Sequence, residues 1–247
     1  MLCFVLLLFE IITVPSNETE CANLATLLKL IRDIIGADKL LTISAPSSSK
    51  KYKGYSKKYI QYVNWFNVMT YNYAGSWNTY TGYNSPLYAP PHDLNQQKSC
   101  ETSIKTYYNE GIPNHKLVIG AAFYGQAWKV ISSTNNGFNQ EGTTNIKGES
   151  SDEDGIWTYR GLRKKKILSS YNSATSPWIR TWHNDVKSPT LFNPKTMHYI
   201  SYDDPDSMCE RVNYVKKKKL AGFMMWEIGQ DYKRELLDTI INCYGKN

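Results

Sequence analysis

Histidine is scarce in this 247-residue chain, and its four copies, His92, His115, His183 and His198, are widely scattered. None has a nucleophile-elbow serine to work with, so a Ser-His-Asp hydrolase is not indicated. No C-x-x-C pair occurs, which removes the usual zinc spacing, and no metal site is expected. A recognition-helix pattern and a phosphate-cradling glycine loop are also missing, so nucleic acid is not an expected partner. No cofactor is expected either. The apolar run from Leu2 to Val14 is interrupted by Glu10 and falls short of the roughly 20 residues that a bilayer-spanning helix needs. Short internal repeats and low-complexity tracts are absent.

What the chain has in quantity is tyrosine and tryptophan: 19 Tyr and 7 Trp against 7 Phe. Both side chains join an apolar face to a polar handle, which suits stacking on sugar rings. Codon usage in an AT-rich genome is the other reading of the tyrosine excess. Hydrophobic content of 41% and charged content of 21% are those of an ordinary globular protein, and the length suits one α/β barrel. The net charge of +7 comes from lysine clusters: Lys50-Lys51, Lys57-Lys58, Lys164 to Lys166 and Lys216 to Lys219. These fall near the ends of expected helices, where cations complement the C-terminal dipole, and they read as solvated faces. Of the five cysteines, Cys3 lies in the apolar run; Cys21, Cys100, Cys209 and Cys243 allow three pairings if all are bridged. Disulfides and buried thiols both stay open.

Residues 1–15 read as an atypical apolar N-terminus, either a signal-like segment with Val14-Pro15-Ser16 as its cleavage site or misannotated sequence. Asn17-Glu18-Thr19 is a glycosylation sequon, consistent with a secreted, extracellular protein. Leu24, Leu27, Leu28, Leu30, Ile31 and Ile34-Ile35 fall at helical spacing, and Gly36 ends that helix. Near-continuous apolar strands follow at Leu40 to Ala45, Trp65 to Tyr71, Lys116 to Phe123 and Ala221 to Trp226. Such runs suit parallel strands buried on both faces. Helices are expected around Tyr59 to Val63, from Cys100 to Asn109, from Asp206 to Lys218 and from Tyr232 to Ile241. The alternation is that of a parallel α/β plan. Residues 124–205 break the rhythm with short strand-like pieces and read as an inserted α+β subdomain. The expected division is therefore 16–123 with 206–247 as one body and 124–205 as the insertion.

The most informative stretch is Asn67-Val68-Met69-Thr70-Tyr71-Asn72-Tyr73, which runs from Trp65-Phe66 into Ala74-Gly75-Ser76-Trp77. It reads as a buried strand entering an aromatic loop. It resembles the Met-x-Tyr-Asp strand of glycoside hydrolase family 18, the chitinases, with Asn72 at the family's Asp. Four further pieces resemble the same family in order: "LLTISAP", "GIPNHKLVIGAAFYGQAW", "DGIWTY" with "SPTLFNPKTMHYISYDDPDS", and "KKKKLAGFMMWEIGQD". The resemblance implies an incomplete TIM (β/α)8 barrel, about strands 5–8, with the insertion between strand 7 and its helix. The family's D-x-x-D-x-D-x-E strand occurs nowhere in the 247 residues. The expectation is a truncated chain, through loss of the first half of the barrel or an incomplete gene model.

The resemblance also assigns roles. The family's chemistry is substrate-assisted: the sugar's own N-acetyl oxygen attacks the anomeric carbon, a Glu protonates the leaving oxygen, an Asp holds the acetamido N–H, and a Tyr hydroxyl positions the acetamido oxygen. Tyr71 falls on that Tyr, and Asn72 on the Asp, where an amide hydrogen-bonds but carries no charge. Met69, Trp77, Tyr124, Gln126 and Trp226 fall on substrate-binding positions. Trp226 would stack beneath the sugar at the cleaved bond, and Gln126 stands where the family often has Arg. Plain core roles remain the alternative for Tyr71, Met69 and Trp226, and a loop anchor for Trp77. The partner implied is chitin or chitooligosaccharides, bound by a monomer. The chain as written is expected to be inactive or nearly so; a non-catalytic chitin-binding lectin is the second reading, and a fragment that does not fold is the third.

Overall fold

The computed structural model describes residues 15–95, 98–143, 147–149 and 155–245. The apolar run from Leu2 to Val14 lies outside the described residues. The helices and strands in chain order are α1 (Glu18–Ile35), β1 (Thr42–Ala45), α2 (Ser56–Tyr59), β2 (Trp65–Val68), α3 (Cys100–Asn109), β3 (Leu117–Ala122), β4 (Tyr124–Val130), β5 (Gly142–Thr143), β6 (Ile156–Thr158), α4 (Tyr159–Lys164), β7 (Leu168–Ser170), β8 (Ser173–Ala174), β9 (Ile179–His183), β10 (Ser188–Asn193), β11 (His198–Ser201), α5 (Pro205–Lys218), β12 (Gly222–Trp226) and α6 (Glu235–Gly245). They divide into two compact units. The first takes in the chain to Thr70, Glu101–Gly120 and Val215–Met224; the second takes in Tyr71–Cys100, Ala121–Tyr214 and the chain from Met225.

The first unit is built on a four-stranded sheet in the order β1-β2-β3-β12, with β1, β2 and β3 parallel. β3 is buried at every position, as its continuous apolar run requires. Tyrosines replace phenylalanine in this core because each hydroxyl finds a backbone carbonyl. Tyr52 donates to Ser44 O at 2.9 Å, Tyr59 to Cys21 O at 3.0 Å and Tyr107 to Pro46 O at 2.8 Å. The helix α1 starts six residues before the first leucine of its apolar pattern, because Asn17 caps it: Asn17 Oδ1 accepts from Glu20 N at 2.9 Å, and Glu20 reaches back to Ser16 N at 2.7 Å. The short helix expected around Tyr59 to Val63 lies earlier, at Ser56–Tyr59.

The second unit holds an antiparallel sheet in the order β5-β4-β11-β10-β9, with β6 also paired to β4. Ala74, Trp128, Val130, Phe192 and Tyr199 form a buried cluster on it, with Phe138 and Met197 packed against them. Two of its strands carry no strand signal in the sequence. Gly125 interrupts β4, yet it is needed there: a Cβ would strike the Ser201 carbonyl and Tyr202 on the neighbouring strand. Pro189 lies in β10 opposite Trp182, but β11 pairs only with Thr190 onward, so the missing N–H forfeits no ladder bond on that side. Cys209 and Cys243 form a disulfide with Cα atoms 5.6 Å apart, and Cys21 and Cys100 are buried outside it.

A fully buried ion pair joins α5 to the segment between β11 and α5, and hydrogen bonds from the same arginine reach the loop after β2. Arg211 Nη1 lies 2.9 Å from Asp203 Oδ1, and both side chains are sealed from solvent. Arg211 Nη2 donates to the Ser85 carbonyl and to Ser85 Oγ at 2.7 Å, and Ser207 Oγ donates to Asp203 at 2.7 Å. Removing one partner leaves the other as an uncompensated buried charge. Arg211→Ala should therefore destabilise the chain by about 3–5 kcal/mol. The measurement is a urea unfolding midpoint at neutral pH; an unchanged midpoint would contradict the account of this pair.

Candidate functional site

The second unit contains a cleft of about 270 Å³, lined by Asn72, Ser76, Trp77, Tyr124, Gln126, Ile156, Trp226 and Gln230. Its residues come from segments that follow β2, begin β4 just after β3, and end β12. Ligand sites of α/β proteins are usually assembled from such segments at the carboxyl ends of parallel strands. The two tryptophans are exposed by 59% at Trp77 and 41% at Trp226, which is unusual for so apolar a side chain and leaves indole surface open to a ligand.

Trp77 is held from behind by its own turn. Asn78 N donates to Gly75 O at 3.0 Å, and Gly75 N donates to Asn78 Oδ1 at 3.1 Å. The indole lies so close to Gly75 that a Cβ there would come within 2.5 Å of a ring carbon, so the ring rests on bare backbone. Trp226 is the last residue of β12; its carbonyl accepts from Phe123 N at 2.8 Å, and the peptide to Glu227 is cis.

The polar end of the cleft is a network of neutral groups. Asn72 has a left-handed backbone, φ 58°, a conformation that Asn adopts more readily than most residues. Its Oδ1 accepts from the Tyr124 hydroxyl at 2.7 Å and from Gln126 Nε2 at 3.3 Å. Its backbone N–H donates to Asn84 Oδ1 at 3.2 Å, while Asn84 Nδ2 donates to Tyr124 O at 3.1 Å and Asn84 N donates to Ser201 Oγ at 2.9 Å. Asn84 is wholly buried. Burial, helped by the Tyr71 ring, pushes the Tyr124 phenol above its ordinary value, so it stays protonated and acts as a donor.

Of the residues expected at the site, Asn72, Trp77, Tyr124, Gln126 and Trp226 come together in the lining. Tyr71 is buried and packs edge-on against Tyr124, with ring centroids 6.1 Å apart. Met69 is half-buried in the first unit, where its N–H donates to Ala45 O at 2.8 Å. Ser76, Ile156 and Gln230 also line the cleft, although their types carry no signal. Asn84 holds the network without lining the cleft, and its type and place carry no signal in the sequence. Among the described residues no cluster of His, Cys, Asp or Glu has the makings of a metal site.

The chain belongs to glycosyl hydrolases family 18, whose model matches residues 9–231. It is 32% identical over 231 residues to "Probable chitinase 2" of Drosophila melanogaster, covering 90% of this chain and 44% of that protein. It is 29% identical over 241 residues to "Endochitinase 1" of Metarhizium robertsii, covering 92% of this chain and 52% of the relative. The chain thus spans about half the length of the curated relatives it matches. Among solved structures, the chitinase ChiW of a Paenibacillus strain is similar with a TM-score of 0.80 and 28% identity, over 94% of this chain and 26% of that one. These likenesses give the chain the TIM-barrel-like α/β fold of the family.

Two outcomes test this description. Tyr124 is the one titratable side chain among the lining residues, and burial holds its phenol neutral well beyond the ordinary tyrosine range. Affinity for any neutral ligand of the cleft should therefore vary by no more than about twofold between roughly pH 5 and 9, as read by calorimetric titration. Asn84→Ala strips Asn72 N–H and Tyr124 O of their partner and should cost about 1–3 kcal/mol in urea unfolding while weakening that binding; unchanged binding would contradict its positioning role.

Proposed function

We propose that this chain forms the binding floor of a chitin cleft and, as a polypeptide of these 247 residues, holds β-1,4-linked N-acetylglucosamine chains without cleaving them. The observation that carries this reading is the lining itself: two exposed indoles and a set of amides and hydroxyls, with no carboxyl group among the lining residues. Indole faces suit the apolar faces of pyranose rings, and neutral polar groups suit hydroxyl and acetamido groups. Glycoside hydrolysis needs a carboxylic acid to protonate the leaving oxygen, and loss of a general acid costs roughly 10²–10⁴-fold. The relatives in Metarhizium robertsii and Drosophila melanogaster, an endochitinase and a probable chitinase, point the substrate class the same way.

The rest of the reading follows. Trp226 and Trp77 stack on successive sugar rings, Tyr124 and Gln126 order Asn72, and the Tyr71 hydroxyl donates to the acetamido oxygen. The sheet β1-β2-β3-β12 corresponds to about strands 5–8 of an incomplete barrel, and residues 124–205 to its α+β insertion. The protein works as a secreted monomer; the exposed side chain of Asn17 in its sequon fits that placement.

Retention on chitin beads tests the binding function. Burying roughly 60–80 Å² of indole at about 25 cal/mol per Å² is worth about 1.5–2 kcal/mol, so Trp226→Ala should weaken retention ten- to thirtyfold. No retention of the unaltered chain, or retention indifferent to this substitution, would refute binding. A sensitive assay on labelled chitooligosaccharides tests the second half: turnover comparable to that of an ordinary chitinase would refute the absence of cleavage.

A further inference from the structure

Of the lysine clusters, the one from Lys50 to Lys58 stands apart. Five of its nine residues are lysine, and no Asp or Glu occurs between Asp38 and Asp93. Lys50, Lys51, Lys53, Lys57 and Lys58 are all exposed, and none makes an ion pair among the described residues. A helix dipole does not account for them. Lys50 and Lys51 lie in a 3-10 turn at Ser49–Tyr52, and Lys57 and Lys58 lie in α2, pieces of four residues each in which few peptide dipoles are aligned. Tyrosines fix the segment from beneath. Tyr52 and Tyr59 are buried with their rings edge-on at 5.0 Å, and their hydroxyls hold Ser44 O and Cys21 O. Tyr55 N donates to Tyr52 O at 2.8 Å, and Lys53 N donates to Lys50 O at 3.1 Å. The Lys57 stem lies against Gly111, where a Cβ would come within 2.7 Å of Lys57 Cε. Glu110, an acidic side chain that reaches the segment, is turned inward: its Oε1 accepts from Ser49 Oγ at 2.5 Å and its Oε2 is buried.

We infer that this five-lysine segment is a docking surface for an acidic polysaccharide, a second binding function separate from the cleft. Five like charges fixed on one short segment repel one another, and a partner that brings negative charges in series relieves that repulsion. Lysine ends are compact point charges on flexible stems, which suit a polymer with spaced anionic groups. A planar anion held at two points would call for arginine, and the segment has none. A single-stranded nucleic acid needs aromatic faces for its bases. Here Tyr52 and Tyr59 are buried, and Tyr55 is half-buried with Lys58 Nζ 4.3 Å from its ring centroid. A lipid surface needs an apolar wedge beside the charges, and no large apolar side chain is exposed from residue 41 to residue 76. These features favour a hydrophilic polyanion, and the secreted placement proposed above brings acidic polysaccharides within reach. The segment lies in the first unit and shares no residue with the cleft, so the inference does not depend on what the cleft holds.

The test is calorimetric titration of the folded chain with polymannuronate, a β-1,4-linked uronic acid polymer, at about 0.05 M and about 0.2 M salt. Single-stranded RNA and vesicles rich in phosphatidylserine are titrated beside it at the same anion concentration. The unaltered chain should bind polymannuronate most tightly of the three. It should lose on the order of 100-fold in affinity between the two salts, as counterion release by about five lysines requires. Lys50→Gln, Lys51→Gln and Lys53→Gln together should weaken binding at the lower salt by about tenfold or more and cut the salt effect to under about tenfold. Lys57→Gln with Lys58→Gln, on the far side of Gly54, should act in the same direction. Lys164→Gln, Lys165→Gln and Lys166→Gln together remove the same charge as the first set and should weaken binding by no more than about threefold. All three variants should keep the thermal midpoint of the unaltered chain. Equal weakening by the two triple variants would mean that the net charge of +7 holds the polymer, and would overturn the inference. Tighter binding of RNA or of vesicles, or no binding of polymannuronate, would overturn it as well. Failure of the unaltered chain to stay on chitin beads would refute the reading of the cleft and leave this inference standing.

Discussion

Asn84 holds the polar end of the cleft in one geometry. Its buried side chain joins the backbone of Asn72 to that of Tyr124, and its own N–H reaches Ser201 on β11. Three segments far apart in sequence are fixed by one residue that is not among those lining the cleft. Because every partner is neutral, the arrangement avoids the large desolvation cost of buried charge. Because each link is a hydrogen bond between fixed groups, the arrangement holds the Asn72 backbone and the Tyr124 carbonyl in place.

The second unit keeps a sealed charge pair elsewhere, in the Arg211–Asp203 network with Ser85 and Ser207. That separation of labour has a chemical consequence. The cleft has aromatic faces and hydrogen-bonding amides, which serve recognition, and lacks an acid among its lining residues, which cleavage requires. Family membership fixes the ancestry and the fold.

Much of the fold was legible because it rests on periodicity. The apolar runs that became β1, β2, β3 and β12 are continuous, and α3 and α5 carry clear helical patterns with lysines closing α5. β4 and β10 were hidden because Gly125 and Pro189 carry the local signals of a strand's end, and only packing against β11 and β9 explains their presence. In the cleft, Trp77, Trp226 and Tyr124 were readable from motif order. Asn84 was not, since a buried Asn announces itself only through partners distant in sequence. The same holds for the direction of the Asn72 amide, which depends on a hydroxyl 52 residues away.

The most direct test of the account is a two-dimensional NMR titration of the 247-residue chain with tetra-N-acetylchitotetraose, following the indole N–H signals. The account predicts saturable shifts of the Trp77 and Trp226 signals, in fast or intermediate exchange, with Trp128 in the buried cluster unmoved and the oligosaccharide intact at the end. Shifts confined to other tryptophans, or no shifts at all, would contradict a chitin-binding cleft, and progressive loss of the tetramer would contradict its being a cleft that binds without cutting.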